Sequence, residues 1–342
     1  MNIALDATYS VGSDLSGVGV YSREILNGLA NAHPADRFTF CYRAHRFLRS
    51  FHETLPGNAR RYLSGDRRAP AGADLFHGLN QRLPRARLHH AVTTFHDLFV
   101  LTGDYSTPEF RQRFAEQARD AAARSERIIA VSQFTARQAI QLLGVEQARV
   151  RVVHHGVRPF PRPAIPRENV ILHVGAIQRR KNIARLVEAF EQVDPEWQLV
   201  LAGSQGYGAA DILARIAASP SRDRIRVLGY VPDAGLAEWY ARASIFAFPS
   251  LDEGFGMPVL EAMAAGLPVV TSNCAAIPEA AGDAAWLVDP EDTGALAGAL
   301  QSLTRDSAQR ADLGRRGAVR AAQFTWEDAV AKTWAVYHEL TD

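Results

Sequence analysis

Residues 250–270 read SLDEGFGMPVLEAMAAGLPVV, and they follow the apolar run SIFAFPS at 244–250. A strand-like run ends near Pro249, a loop carries Gly254 and Gly256, and Pro258 opens an apolar helical pattern. Glycines let a backbone turn tightly and approach a ligand. Proline suits the first turn of a helix, where its missing N–H costs nothing. A helix N-terminus presents unpaired N–H groups and the positive end of a dipole, so it attracts a phosphate. Glu253 and Glu261 stand eight positions apart on the two sides of this turn. Glu261, one turn into the helix, is placed to reach ribose hydroxyls, and Glu253 to reach a second polyol. The same spacing also fits a plain strand–loop–helix corner with two solvated glutamates.

Strand and helix alternate outward from this unit in both directions. Upstream in the same half lie strands in VILHVGA (170–176), WQLVLAGS (197–204) and RIRVLGYV (224–231), each followed by a helical pattern. Downstream, LPVVTSN and AAWLVD read as strands, and helices close the chain. The first half repeats the theme with NIALDA, RFTFCY, DLFHG, HAVTTFHD, RIIAVS and RVRVVHHGV as strands. Helical patterns fall between several of them, two with a Ser or Thr near the start. Such alternation predicts parallel strands with crossover helices. Four prolines between residues 159 and 166 mark an extended connector. The expectation is an α/β chain of two doubly wound, Rossmann-like domains, 1–160 and 168–325. The amphipathic helix in 326–342 is expected to cross back onto the first. Ligands of such sheets bind outside the carboxyl ends of the strands, which predicts an interdomain cleft.

Bulk properties narrow the class. The chain has 342 residues, 47% of them apolar and 22% charged, as in soluble globular proteins. No window approaches about 18 uninterrupted apolar residues, so no transmembrane helix is expected. The start lacks the pattern of a signal peptide. Two cysteines, Cys41 and Cys274, form neither a metal-type spacing nor a disulfide framework, which fits a cytoplasmic setting. Net charge is +1, but residues 1–167 carry +9 and residues 168–342 carry −8. A basic first half suits an anionic membrane surface or a phosphorylated acceptor, and no nucleic acid is expected. Only Lys181 and Lys332 are lysines among 38 basic residues. Lys181 follows Arg179 and Arg180 in VGAIQRRKN, at the end of a strand, where cations can neutralise a departing diphosphate. An exposed basic turn would look the same.

These residues carry a resemblance. The segment around Glu253 and Glu261 resembles the E-x7-E motif of retaining glycosyltransferases of family GT4, which have the GT-B fold. The resemblance implies that Glu253 contacts a donor sugar and Glu261 a nucleoside ribose. It also implies that the backbone of Gly254, Phe255, Gly256, Met257, Pro258 and Val259 meets sugar and diphosphate. Arg180 and Lys181 match the basic pair of such proteins, although Ala176 stands where many have an arginine. The loop is similar to a PRKN version found in bacterial mannosyltransferases, with Arg179 replacing the proline. Whether Arg179 or Arg180 makes the second phosphate contact stays open. Gly17 and Gly19, in SGVGVYS, resemble the family's N-terminal glycine loop, and His96, in TTFHD, a histidine that faces the donor sugar. Either set can also be structural, as can Ser132, which suits a helix cap. Ser204, Tyr230 and Val231 resemble the stretch that reads the base edge.

The expected activity is transfer of a hexose, mannose from GDP-mannose before a UDP-sugar, onto a glycan or lipid-linked hydroxyl with retained configuration. The catalytic set would be His96, Arg180, Lys181 and Glu253. No D-x-D pair or H-E-x-x-H occurs, so no metal or other cofactor is expected. Arg43, Arg46 and Arg49 recur at helical spacing beside Phe47, Leu48 and Phe51. Such a basic amphipathic helix fits peripheral contact with the inner membrane face, and an ordinary solvated helix fits as well. A nicotinamide-dependent oxidoreductase or epimerase is the more remote reading, since Ser22 breaks its G-x-G-x-x-G pattern. An exported sugar-binding protein would be expected to carry a signal.

Overall fold

The computed structural model describes residues 1–157, 160 and 163–341. The proline-rich connector at 159–166 therefore lies partly outside the described residues. The chain forms two compact units, Val157–Phe324 and a unit that joins Met1–Gly156 to Thr325–Asp342.

The first unit holds seven parallel strands. They are β1 (Asn2–Asp6), β2 (Arg37–Arg43), β3 (Ala59–Ser64), β4 (Leu75–Gly78), β5 (His90–Phe95), β6 (Arg127–Ala130) and β7 (Val150–Val152). Their order is β3-β2-β1-β4-β5-β6-β7, so the winding reverses between β1 and β4. Ser16, Thr107 and Ser132 cap the helices Gly17–Ala32, Pro108–Arg124 and Gln133–Leu143, each accepting a bond from a backbone N–H of the first turn. These oxygens satisfy donors that the helix itself leaves unpaired. The helix Trp326–Thr341 packs on the helix Gly17–Ala32. It is tied in by a buried polar chain: Tyr337 Oη lies 2.6 Å from His77 Nδ1, His77 Nε2 lies 2.8 Å from Thr94 Oγ1, and Thr94 Oγ1 lies 2.8 Å from Tyr21 Oη.

The second unit holds six parallel strands: β8 (Val170–Val174), β9 (Gln198–Ala202), β10 (Ile225–Gly229), β11 (Ile245–Phe248), β12 (Val269–Ser272) and β13 (Trp286–Val288). Their order is β10-β9-β8-β11-β12-β13, with the reversal between β8 and β11. Strands covered on both faces read as continuous apolar runs, and Ile171, Leu199, Leu201, Ile245 and Val270 are all inaccessible in one core with Leu186, Phe190 and Leu300. Asp292 and Asp306 cap the helices Thr293–Arg305 and Ser307–Ala321.

Three elements depart from the sequence reading. β3 is a strand where the sequence suggested nothing regular, because its residues alternate only partly in burial at the sheet edge. The amphipathic helix expected from Arg43 to Phe51 is cut short. Arg43 ends β2, a four-residue helix covers Ala44–Phe47, and a 3-10 turn covers Leu48–His52. The short helix Ile277–Ala281 also has too few residues to show a period.

Candidate functional site

The second unit builds its site from the loops after β8 and β11, the two strands at the reversal. β8 ends at Val174 and the chain passes through Gly175 to a single 3-10 turn, Arg179–Lys181. Asn182 closes that turn with φ +58° and donates from Nδ2 to the Pro290 carbonyl at 2.7 Å. The Gly175 loop is held against the next one, since Ile177 N donates to Ser204 O at 2.8 Å. Gly203 is obligatory there: a Cβ on it would lie 1.9 Å from the Gly175 carbonyl oxygen.

β11 ends at Phe248 and leads into the loop that carries Glu253. Gly256 has φ +105°, and a Cβ there would stand 2.8 Å from Ile277 Cδ1. The left-handed turn aims the chain into the helix Met257–Ala264, with Pro258 in its first turn.

Arg180, Lys181 and Glu253 meet. Each is less than 9% exposed. Arg180 Nη1 lies 3.0 Å from Glu253 Oε1, and Lys181 Nζ donates to the same oxygen. Ser250 Oγ donates to it as well, at 2.6 Å, and Arg180 also reaches the Asp252 carbonyl. Burial alone raises the Glu253 pKa. The Arg180 guanidinium and Lys181 ammonium outweigh it, helped by the bonds from Lys181 and Ser250, and hold the carboxyl at about 2. Glu253 is thus an anion at neutral pH, held by two cations. Lys181 also sits 4.5 Å from the centroid of the Phe248 ring. Behind it, His173 on β8 stacks on Phe248 and donates from Nδ1 to Ala247 O at 3.0 Å. Burial lowers the His173 pKa to about 4, so the ring is neutral beside the cations.

Arg179 takes a different direction. It is exposed, lies 3.6 Å from Asp211 and 5.8 Å from the Tyr207 ring centroid. Of the two arginines it is Arg180 that joins the cluster.

Glu261 lies one turn into the helix and accepts a bond from the buried Tyr240 hydroxyl at 3.0 Å. Burial, and then the Glu261 charge, push the Tyr240 pKa well above its ordinary value, so the phenol stays a donor. Gly254, Phe255, Gly256 and Val259 are buried, Met257 and Pro258 half-buried. Ser204 and Tyr230 are exposed at the ends of β9 and β10, with Val231 half-buried beside them.

The first unit places the remaining residues. Gly17 begins its helix and is exposed. Gly19 is buried, and a Cβ on it would lie 2.8 Å from the Tyr9 carbonyl, so packing forbids a side chain. His96 is 7% exposed, with Nε2 donating to Leu79 O at 2.8 Å and Nδ1 facing His155 Nε2 at 3.4 Å. Tyr21 packs edge-on against its ring at 4.7 Å. Burial lowers the His96 pKa to about 4. Both nitrogens are engaged inside the unit, so a direct bond from His96 to a ligand needs one of these partners to be exchanged. Ser132 caps its helix by accepting from Thr135 N at 3.0 Å.

Sequence reasoning missed Ser250, Tyr240, His173 and the His77–Tyr337 link. Ser250 stands in the motif itself, three residues before Glu253, and that spacing was a usable signal. The others meet their partners only through the fold.

Comparison with known proteins fits this geometry. Residues 15–159 match the model of Glycosyltransferase Family 4, and residues 159–320 that of Glycosyl transferases group 1. The O-antigen chain mannosyltransferase B of Escherichia coli is 32% identical over 98% of this chain and 99% of its own. The MMP alpha-(1->4)-mannosyltransferase of Mycolicibacterium hassiacum is 30% identical over 74% of this chain and 64% of its own. Among solved structures, sucrose-phosphate synthase from Thermosynechococcus elongatus aligns with a TM-score of 0.80 at 22% identity, covering 99% of each chain. Anabaena HepE in complex with UDP and glucose aligns with a TM-score of 0.73 at 19% identity, covering 100% of this chain and 99% of its own. The two parallel-sheet α/β domains are those of GT-B glycosyltransferases.

Proposed function

The chain belongs to family 4 of the glycosyltransferases, and from that premise we propose that it transfers mannose from GDP-mannose to a hydroxyl of a glycan or lipid-linked acceptor, with retained configuration and without a metal. The observation that carries this reading is the buried Arg180–Lys181–Glu253 cluster beside the N-terminus of the helix Met257–Ala264. Its two cations suit a diphosphate, and the preference for mannose rests on the two mannosyltransferases among the relatives.

In the reaction the bond between the anomeric carbon and the β-phosphate oxygen breaks. A new bond forms from the acceptor oxygen on the same face, and the acceptor proton passes to an oxygen of the departing diphosphate. Negative charge grows on that diphosphate, where Arg180, Lys181 and the first-turn amides stabilise it. Donors fixed in a buried site act strongly because nothing has to reorganise. Glu253, deprotonated, receiving bonds from Lys181 and Ser250 and paired with Arg180, is neither acid nor nucleophile. It fixes the two cations and accepts from sugar hydroxyls. Glu261, oriented by Tyr240, accepts from the ribose. The arginine and lysine take the part a divalent ion would otherwise play.

The first domain is assigned to the acceptor. Leu48 and Phe51 are 77% and 61% exposed beside Arg46 and Arg49, and Arg61 stacks 4.9 Å over the Phe51 ring. Basic and apolar side chains exposed together favour an anionic membrane surface, and among the described residues no helix is long and apolar enough to span one.

The test is a thermal-shift panel of GDP, UDP, ADP and TDP, followed by product analysis in the presence of a chelator. The reading expects GDP to give the largest shift, and GDP-mannose to yield the α-linked product with the chelator present. A winning UDP replaces the donor, an inverted product removes retention, and activity abolished by the chelator removes metal independence.

A further inference from the structure

One buried histidine beside the cluster takes no part in the proposed transfer. His173 is the single polar residue of β8, a strand otherwise of Val, Ile and Leu, and its side chain is inaccessible. Its Nδ1 donates to the Ala247 carbonyl at 3.0 Å, so Nδ1 carries the proton and Nε2 is left as an acceptor. Among the described residues nothing donates to Nε2. A buried acceptor without a donor costs stability, and leucine or phenylalanine would fill the same space without that cost. Packing by itself therefore gives no reason for a histidine on this strand.

The reason lies across Gly175. A Cβ on Gly175 would stand 3.4 Å from His173 Nε2 and 3.4 Å from Lys181 Cε. Nε2 and the carbon that carries the Lys181 ammonium thus face the same gap, the one that glycine leaves by having no side chain. The same imidazole stacks on Phe248, with centroids 5.5 Å apart and planes 17° from parallel, and Lys181 Nζ sits 4.5 Å from the Phe248 centroid. Glu253 holds the ammonium by one bond, which sets its distance but not its direction. The Phe248 face and the unprotonated edge of the imidazole add two more attractions. A protonated ring would repel the ammonium instead. Burial, the main cause, keeps the His173 pKa down at about 4, and the Lys181 charge pushes the same way.

We propose that His173 is a positioning residue that fixes Lys181 for the diphosphate. It touches no ligand. On the transferase reading, on which this assignment depends, it holds Lys181 Nζ where negative charge grows, through the Phe248 ring and through its own Nε2.

Lys181 and Lys332 are the two lysines of the chain, so Lys181 can be observed directly. In NMR of the whole chain with isotope-labelled lysine, the Phe248 ring should shift the Lys181 ε-methylene to high field. Lys332, exposed and paired with Asp328, should keep an ordinary shift. Loss of the shifted signal in Lys181→Ala assigns it. Two variants probe the histidine: His173→Leu, and His173→Asn, which retains a donor for the Ala247 carbonyl. Each should move the Lys181 signal toward the Lys332 position and weaken GDP binding by about tenfold or more, read by calorimetric titration of the folded protein. Combined with Lys181→Ala, neither should weaken GDP binding further, because the effect runs through the lysine. A Lys181 signal that neither substitution moves overturns the proposal, and so do losses of GDP affinity that add in the double variant. Without GDP binding by the wild type the donor reading fails, and the Lys181 signal, moved or unmoved, still upholds or refutes the hold of His173 on Lys181.

Discussion

Glu253 Oε1 is the atom on which the proposed donor site converges, with Arg180, Lys181 and Ser250 all directed at it. Glu253→Gln removes the charge that holds two buried cations, so we expect kcat to fall by about 10²–10³-fold, the range for losing one preorganised contact. The variant should also melt at lower temperature, because unpaired buried charges are costly. Steady-state kinetics and a melting curve check both effects. Ser250→Ala deletes one hydrogen bond and leaves the ion pairs, and should cost about 1 kcal/mol. Denaturant unfolding measures it, and a loss equal to that of Glu253→Gln would place the stabilisation in the hydroxyl and not in the charges. At this scale the sequence was informative where chemistry is local. Glu253, Glu261 and Lys181 stand in one motif and one turn. Tyr240 was not legible, since it lies 21 positions from Glu261 and meets it only because the intervening chain folds back. That Arg180 and not Arg179 joins Glu253 was equally hidden, because neighbours in one 3-10 turn meet different partners, Glu253 for Arg180 and Asp211 for Arg179.

At the scale of elements, two loops after β8 and β11 form the proposed donor site, and glycines set their shapes. Gly256→Ala places a Cβ where φ is +105° and where Ile277 already stands. Strain of this kind costs about 1–3 kcal/mol. The helix Met257–Ala264 should shift and nucleotide affinity fall by tenfold or more, read by calorimetric titration. Unchanged affinity would mean that the helix start does not bind the diphosphate. The alternation of buried strands and helices made most elements readable, since parallel strands covered on both faces stand out as apolar runs. β3 escaped because an edge strand with three polar residues, Arg60, Arg61 and Ser64, has no such run. The expected helix from Arg43 to Phe51 shrank because its register of arginines began in β2, where spacing along the chain has a different meaning.

At the scale of the whole molecule, the histidines decide the acid limit. Burial lowers the pKa of His77 to about 3, of His96 and His173 to about 4, and of His155 well below 6.5. The folded values lie below the unfolded one, so between pH 6.5 and 4 the unfolded chain binds more protons. Stability is therefore full above pH 6.5 and falls as pH drops, each group at about 4 removing up to roughly 3 kcal/mol. Urea unfolding from pH 8 to 4 should show a plateau and then a steep decline, and a flat profile would mean that these rings are not buried neutral. The two-domain pattern was legible from strand–helix alternation and the proline-rich connector. The return of the last helix was expected from its amphipathic pattern, but its anchor was not legible, because the His77–Tyr337 bond spans 260 positions. The central claim, that Arg180, Lys181 and Glu253 form a diphosphate grip, is tested most directly by calorimetric titration of GDP into wild type and Lys181→Ala. The account predicts saturable binding by the wild type and at least tenfold weaker binding by the folded variant, while equal affinities, or no binding by either, would contradict it.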